Sequence, residues 1–255
     1  MSRIRSLLLC LSAALALASC KGRPPVPILG FHAVVPSPGH LDVSPEQFAA
    51  QLDALAAAGF HTVSLGQVLD HLERATPLPA RPIVLTFDDG TDDAYRNVLP
   101  ALRARGMTAT FFVVSSWIGA DAAHRRNEPL QPGEPSRPVL IWPELLALRA
   151  AGMEIGSHSR THARLPLLEE KALEDELVGS RRELSAGLGA PVDLFAYPFN
   201  ALRAKTEAAV LAAGYRAAVA GQEHGAQRTS ALYRIGVYRD TKPDELVRYA
   251  LAGSR

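Results

Sequence analysis

The chain has 255 residues, of which 47% are hydrophobic and 21% charged, and its formal net charge is +1. This length carries one large domain or two small ones, and the composition is that of a globular protein with a sizeable core. A balance so close to neutral provides neither a basic field for nucleic acid nor an acidic tail.

The N-terminus stands apart from the rest. Arg3 and Arg5 precede an almost wholly apolar run from Leu7 to Ala18, and Leu17-Ala18-Ser19-Cys20 ends it. A basic start, an apolar core too short to span a bilayer comfortably, and small residues after it have the order of a secretory signal. The ending resembles the bacterial lipobox, so residues 1–19 are expected to be removed and Cys20 to become the lipidated first residue. A plain signal with a coincidental cysteine is the alternative. More than one acyl chain on Cys20 gives stable anchoring, since a single chain binds only marginally. Lys21 follows Cys20 where an aspartate would mark retention at the inner membrane. By resemblance to lipoproteins of double-membraned bacteria, the periplasmic side of the outer membrane is favoured. Cys10 and Cys20 are the only cysteines, so the processed chain has no internal disulfide.

Residues 20–27, with Pro24, Pro25 and Pro27, read as a stiff tether, and residues 28–255 as one domain. Val26 to His32 is a short apolar strand. Ser44-Pro45-Glu46-Gln47 opens a helix with a serine cap, and Gly59 stops it after Phe48, Leu52 and Leu55 have lined one face. His61 to Leu65 is the next strand, followed by a short helix to about Arg74. Ile83 to Phe87 is apolar, Ala94 to Arg105 helical, and Thr108 to Val114 again a strand. Residues 115–138 carry Pro129, Pro132, Pro135 and Pro138 and read as a long polar loop, the kind that serves as a lid or insertion. Trp142 to Ala151 is helical, Met153 to Ser157 a strand, and Glu169 to about Leu188 a long amphipathic helix. Val192 to Tyr197, a helix to Ala213, Tyr215 to Ala220 and a C-terminal strand Arg234-Ile235-Gly236-Val237 complete the chain. About seven strand–helix units without a linker predict one closed or nearly closed α/β barrel. In such a barrel, chemistry comes from the C-terminal ends of the strands.

Two motifs sit where strands end. In Thr86-Phe87-Asp88-Asp89-Gly90, two adjacent carboxylates repel unless a cation or a shared proton is present. Neighbouring side chains diverge, so one carboxylate can bind a metal while the other faces a substrate; a solvated Asp-Asp-Gly turn is the plain alternative. In His158-Ser159-Arg160-Thr161-His162, imidazoles at i and i+4 would share one face of a helical turn, a spacing that suits two ligands on one cation. A pair of surface histidines is the alternative there. Two histidines plus one carboxylate leave positions open for water and substrate, as catalytic metal sites do.

These segments resemble the first two motifs of the polysaccharide deacetylase family, also called the NodB-homology domain or carbohydrate esterase family 4. Pro27-Ile28-Leu29-Gly30-Phe31-His32, Ser44-Pro45-Glu46-Gln47-Phe48 and Gly152-Met153-Glu154-Ile155-Gly156-Ser157-His158 are similar to it as well, so the likeness runs from about Pro27 to about Val237. The resemblance implies a distorted (β/α)7-type barrel in a single domain and metal-dependent removal of acetyl groups from N-acetylated sugars. It implies Asp89, His158 and His162 as metal ligands, zinc first among the divalent ions, and Asp88 as general base. Ser159 and Thr161 become candidates for orienting the imidazoles. The family's Arg-x-Pro-Tyr-Gly segment aligns with Ala196-Tyr197-Pro198-Phe199-Asn200. Pro198 is kept, the Phe199 N–H is placed to serve an oxyanion, and Tyr197 is either a substrate-side residue or core. Ala196 removes the arginine that would pair with Asp88, and Asn200 replaces a glycine with a residue tolerant of left-handed geometry.

The family's C-terminal Leu-x-His is missing. This resembles the circularly permuted branch that deacetylates exopolysaccharides, where an N-terminal histidine supplies the acid; Phe31-His32 stands in that place. His32 is therefore expected to protonate the leaving amine, with a hydrogen-bonded core histidine as the alternative. His40, His61, His71, His124 and His224 lack partners at useful spacing. Trp117 and Trp142 either stack on a sugar or are buried; Arg125, Arg126 and Glu128 either line a glycan groove or belong to a solvated loop. The expected substrate is an N-acetylglucosamine-type polymer at the cell envelope, with no nucleic acid and no obligate protein partner. An O-acetyl esterase, or a glycan-binding lipoprotein with a decayed site, are the alternatives.

Overall fold

The first strand of the chain pairs on both of its edges, and this closes a parallel sheet into a barrel. The computed structural model describes residues 26–131, 133, 135–221 and 228–253. The expected signal segment, the lipidation site Cys20, most of the tether and His224 lie outside the described residues. In chain order the strands are β1 (Ile28–Phe31), β2 (His61–Thr62), β3 (Pro82–Phe87), β4 (Thr110–Val113), β5 (Asn127–Glu128), β6 (Arg137–Pro138), β7 (Glu154–Ser157), β8 (Leu194–Ala196), β9 (Ala217–Gly221) and β10 (Leu232–Gly236). The ring runs β1-β10-β9-β8-β7-β4-β3 and returns to β1, while β2 pairs with the first two residues of β3. This is the single-domain (β/α)7-type barrel that the sequence predicts. Among the described residues no helix is long and apolar enough to cross a membrane.

Strand alternation divides the apolar residues between two cores. Ile28, Val84, Phe112, Leu194, Val219 and Leu232 pack together as one cluster. Leu29, Phe31, Leu85, Phe87, Phe111 and Val113 point the other way and meet the helices. Phe31, Phe87 and Phe111 stack across β1, β3 and β4 at 5.1 and 5.0 Å, and Phe48 meets the first two edge-on. Truncating one such buried phenylalanine costs about 3–5 kcal/mol.

The helices are α1 (Pro45–Ala57), α2 (Leu65–Arg74), α3 (Leu99–Arg103), α4 (Trp142–Ala150), α5 (Glu170–Glu174), α6 (Ser180–Leu188), α7 (Ala204–Ala212) and α8 (Pro243–Gly253). Ser44 Oγ accepts the Gln47 N–H at 3.1 Å, as the Ser-Pro-Glu-Gln sequence implies. Three expectations need correction. The long helix from Glu169 is α5 and α6 joined through a π-type turn at Asp175–Gly179. The segment 115–138 is not a structureless loop: it holds short turns at Ser115–Trp117 and Ala122–His124, and β5 pairs antiparallel with β6. Helix α8, which packs on α1 and covers the C-terminal strand, has a legible start at Pro243-Asp244-Glu245 that the alternation argument passes over.

Candidate active site

The ring closure brings the ends of β1 and β3 level, with Phe31 and Phe87 register partners. The Asp88 N–H donates to the Phe31 carbonyl at 3.1 Å, so His32 and Asp88 leave the barrel side by side. Asp89 has φ 71° and Gly90 φ 79°; a side chain at Gly90 would come within 3.0 Å of Val113 Cγ1. This left-handed turn sends the two carboxylates in different directions, and both are buried.

Asp89 Oδ1 lies 3.4 Å from His158 Nε2 and 3.3 Å from His162 Nε2. Those separations exceed an ordinary N–H···O bond. They match the edge of a tetrahedron whose centre binds each ligand at about 2.0–2.1 Å, an edge of about 3.3–3.4 Å. The three ligand atoms all lie within 4.8 Å of one another. His158 Nδ1 is 2.8 Å from the Ala196 carbonyl. A carbonyl only accepts, so Nδ1 carries the proton and Nε2 turns its lone pair toward Asp89. Burial pushes His162 down to about 4, which leaves it neutral near pH 7. Burial alone would lower His158 as well, but Asp88 and Asp89 outweigh it and raise it. The donor set and its spacing fit a small divalent cation.

The segment carrying the two histidines is not a helical turn, which corrects the spacing argument. Ser159 has φ 66° and His162 φ 62°, and the loop is tied from both sides. Glu176, on the π-type turn, accepts the N–H groups of Arg160 and Thr161 at 2.9 Å each and the Thr161 hydroxyl at 2.5 Å. Ser159 Oγ accepts the His162 N–H at 3.0 Å. The His162 ring then lies between Trp117 and Phe199, at 5.1 and 4.4 Å. Ser159 and Thr161 therefore shape the loop and touch no imidazole nitrogen through a hydrogen bond.

Asp88 is not without an arginine. Arg234 Nη1 and Nη2 donate to its two oxygens at 2.7 and 2.6 Å, and Nη1 also reaches Thr86 Oγ1 at 3.1 Å. The guanidinium comes from β10, across the barrel mouth, rather than from the position of Ala196. Burial by itself would raise the Asp88 carboxyl; Arg234, then His158 and His32, overcome it and hold it well below the usual carboxylate range. Asp88 is thus an ionised acceptor fixed in a bidentate fork.

His32, Asp88, Asp89, His158 and His162 line one cavity of about 40 Å3, together with Tyr197, Phe199, Asn200 and two residues of the 115–138 segment, Leu130 and Gln131. At that size it holds about three water-sized groups. His32 Nδ1 is buried without a hydrogen-bond partner among the described residues. Phe199 has φ 58° and Asn200 φ 50°. The turn's own bonds run from Asn200 N–H to Tyr197 O and from Ala201 N–H to Pro198 O, so they leave the Phe199 N–H unused. Pro198 begins this turn. The Tyr197 side chain is core: its ring meets Phe195 edge-on and its hydroxyl donates to the Ser230 carbonyl at 2.8 Å. Five of the seven non-glycine residues with positive φ among the described residues belong to this site, each at a cost of about 1–3 kcal/mol, so backbone strain is concentrated there.

Of the remaining candidates only Trp117 touches the site, through the His162 ring. Trp117 is buried with Val114, Leu130 and Val139, and Trp142 packs against Gly187. Arg125 forks onto Glu144 at 2.8 and 2.7 Å, and Arg126 pairs with Glu128, which makes them struts of the insertion. His61, His71 and His124 bond locally to Ala80, Thr76 and Asp121, and His40 stacks on Tyr238. Sequence reasoning missed Arg234 and Glu176. A basic residue inside an apolar terminal strand was the available signal for the first; the second, an acid on an amphipathic helix, had none.

Comparison with known proteins bears on the fold and the family. The chain is 24% identical over 210 residues to YxkH of Bacillus subtilis, a protein named for polysaccharide deacetylation, covering 82% of this chain and 69% of that one. It is 38% identical over 77 residues to the poly-β-1,6-N-acetyl-D-glucosamine N-deacetylase of Escherichia coli, which is 30% of this chain and 11% of that one. The fold superposes on the Streptococcus pyogenes deacetylase PplD with a TM-score of 0.77, at 23% identity over 88% of this chain and 97% of that one. The polysaccharide deacetylase model matches residues 75–218, more than half the chain, and the protein belongs to the polysaccharide deacetylase family.

Proposed function

We propose that this polysaccharide deacetylase hydrolyses N-acetyl groups on an N-acetylglucosamine-type polymer, releasing acetate and leaving the free amine. The observation that carries the reading is Asp89 at 3.4 and 3.3 Å from His158 and His162, all three ligand atoms within 4.8 Å, beside an ionised Asp88 in an acetyl-sized cavity. Asp89, His158 and His162 hold a divalent cation, zinc by their chemistry. Bound there, the cation supplies Lewis acidity toward the acetyl carbonyl and the attacking water. Asp88 takes a proton from that water as its oxygen bonds to the acetyl carbon. The Phe199 N–H donates to the oxygen that gains charge. His32 gives a proton to the nitrogen as the C–N bond breaks. The E. coli relative's named substrate makes a β-1,6-linked polymer the first to test.

Export and lipid anchoring at Cys20 belong to the same proposal. Their support is the Arg3/Arg5 start, the apolar run and the lipobox-like ending, with the outer membrane's periplasmic face as destination.

Elemental analysis of purified protein and acetate release from N- and O-acetylated glycans test the reaction. Asp88→Asn should retain the metal and lose turnover, whereas Asp89→Ala and His158→Ala should lose the metal. Normal turnover by Asp88→Asn would remove the base from the scheme.

A further inference from the structure

A cavity of about 40 Å3 takes an acetyl group but not a sugar ring, so the polymer must lie elsewhere. A second, open groove of about 900 Å3 begins where the first ends, and His32 and Asn200 line both. Its size is that of a site for a ligand of several rings. The groove follows β10 toward α8, and Tyr238 and Tyr249 line it. These are two of the three exposed tyrosines among the described residues.

Tyr238 is the better platform of the two. Its ring stacks on His40 at 5.2 Å with 7° between the planes, so one face is backed and the ring cannot fold away on that side. The backbone beneath is fixed at several points. The Tyr238 N–H donates to Thr241 Oγ1 at 3.0 Å, and the Arg239 N–H to the His40 carbonyl at 3.1 Å. Gln47 and Gln51 of α1 both donate to the Thr241 carbonyl, at 2.9 and 2.8 Å. Gly236 makes room for the ring, since a side chain there would collide with the Tyr238 hydroxyl. Gly30 is its register partner on β1, so two adjacent side-chain positions are empty on the path from Arg234 to Tyr238. Asp240 and Glu245 edge the groove with acceptors for hydroxyl groups.

We infer that this groove binds the polysaccharide chain flanking the acetylated sugar, with a neighbouring ring stacked on the Tyr238 face opposite His40. Sugars suit such a ring because their apolar C–H face meets the aromatic surface while their hydroxyls stay solvated or bonded. The inference rests on the deacetylase reading above and identifies how the enzyme tells a polymer from a small acetyl compound.

The test compares an N-acetylglucosamine pentamer with 4-nitrophenyl acetate on wild-type, Tyr238→Ala and His40→Ala protein. Tyr238→Ala should lower kcat/KM on the pentamer about tenfold, mainly through KM, and leave the small ester unchanged. His40→Ala should give a smaller loss on the pentamer alone, and Tyr238→Phe should restore it. Equal losses on both substrates, or no loss on the pentamer, would overturn the groove. Pentamer binding to Asp88→Asn, with and without Tyr238→Ala, separates this from failure of the deacetylase reading. Binding that Tyr238→Ala weakens upholds the groove even if no acetate is released; binding indifferent to Tyr238 refutes it.

Discussion

The two sides of the reaction cavity are built differently. On the β7–β8 side, His158 is locked by a carbonyl on its far nitrogen, and the His162 loop is tied by Glu176 and Ser159 and clamped between two aromatic rings. On the β1–β10 side, Asp88 hangs on one guanidinium and the Nδ1 of His32 has no partner among the described residues. The backbone on either side of His32 is tied, the Phe31 carbonyl accepting the Asp88 N–H at 3.1 Å and the Ala33 carbonyl the Val43 N–H at 3.0 Å, so the looseness lies in the imidazole itself. Ligands must hold a fixed geometry about a cation, whereas a proton donor must follow a nitrogen whose position shifts as its bond breaks. On the proposed roles, the rigid side binds and the looser side transfers protons.

His32→Ala tests the looser side hardest. Loss of a positioned acid should slow amide hydrolysis about 10²- to 10⁴-fold. An alkoxide leaving group needs less help, so O-acetyl esters should suffer far less; equal losses on amide and ester would take His32 out of the acid role. Next comes Arg234→Met. A misplaced base should cost on the order of a hundredfold in kcat, and breaking a buried pair about 3–5 kcal/mol of stability. Its diagnostic readout is the pH profile. Without the guanidinium the Asp88 carboxyl rises, so the acid limb of the rate must move to higher pH; an unmoved limb would make Arg234 merely structural.

On the rigid side, Glu176→Ala should weaken metal binding about 10- to 100-fold by freeing the His162 loop, and Glu176→Gln should recover most of it. Competitive chelator titration reads this directly, and unchanged affinity in Glu176→Ala would mean the aromatic clamp alone suffices. The smallest effect belongs to Asp93, which burial pushes up to about 6 despite its bonds to Thr91 and Val34. A raised folded-state value gives stability that is complete below about pH 4 and lost as pH climbs through 6, about 3 kcal/mol in all. Asp93→Asn lacks that slope, so it should gain on the wild type between pH 4.5 and 7.5 in denaturant midpoints. A difference constant with pH would show that Asp93 stays ionised throughout.

Much of the site was legible because its residues sit beside one another in sequence at strand ends, as Asp88-Asp89 and His158 do. The fold followed from apolar runs separated by capped helices, with Ser44 the plainest cap. Arg234 was not legible in its role, because strand alternation places it inside the barrel without saying which carboxylate it meets across the mouth. The His158–His162 spacing led to the right pair through the wrong geometry: the side chains converge because two left-handed residues turn the loop, which an i,i+4 rule does not describe. Tyr197 illustrates the reverse case, a motif position whose backbone borders the cavity while its side chain belongs to the outer core.

The closure of the ring by β1 also governs the order in which this protein is made. Leu29 pairs with Ile235 near the other end of the chain, a contact of very large sequence separation. Such contacts form late, because the loop entropy they must overcome is spent before any pairing energy returns. Asp89, His158 and His162 lie nearer to one another in sequence than Asp88 does to Arg234, which reaches it only once β10 has docked beside β1. On the proposed roles, an emerging chain brings its metal ligands together before its base meets Arg234.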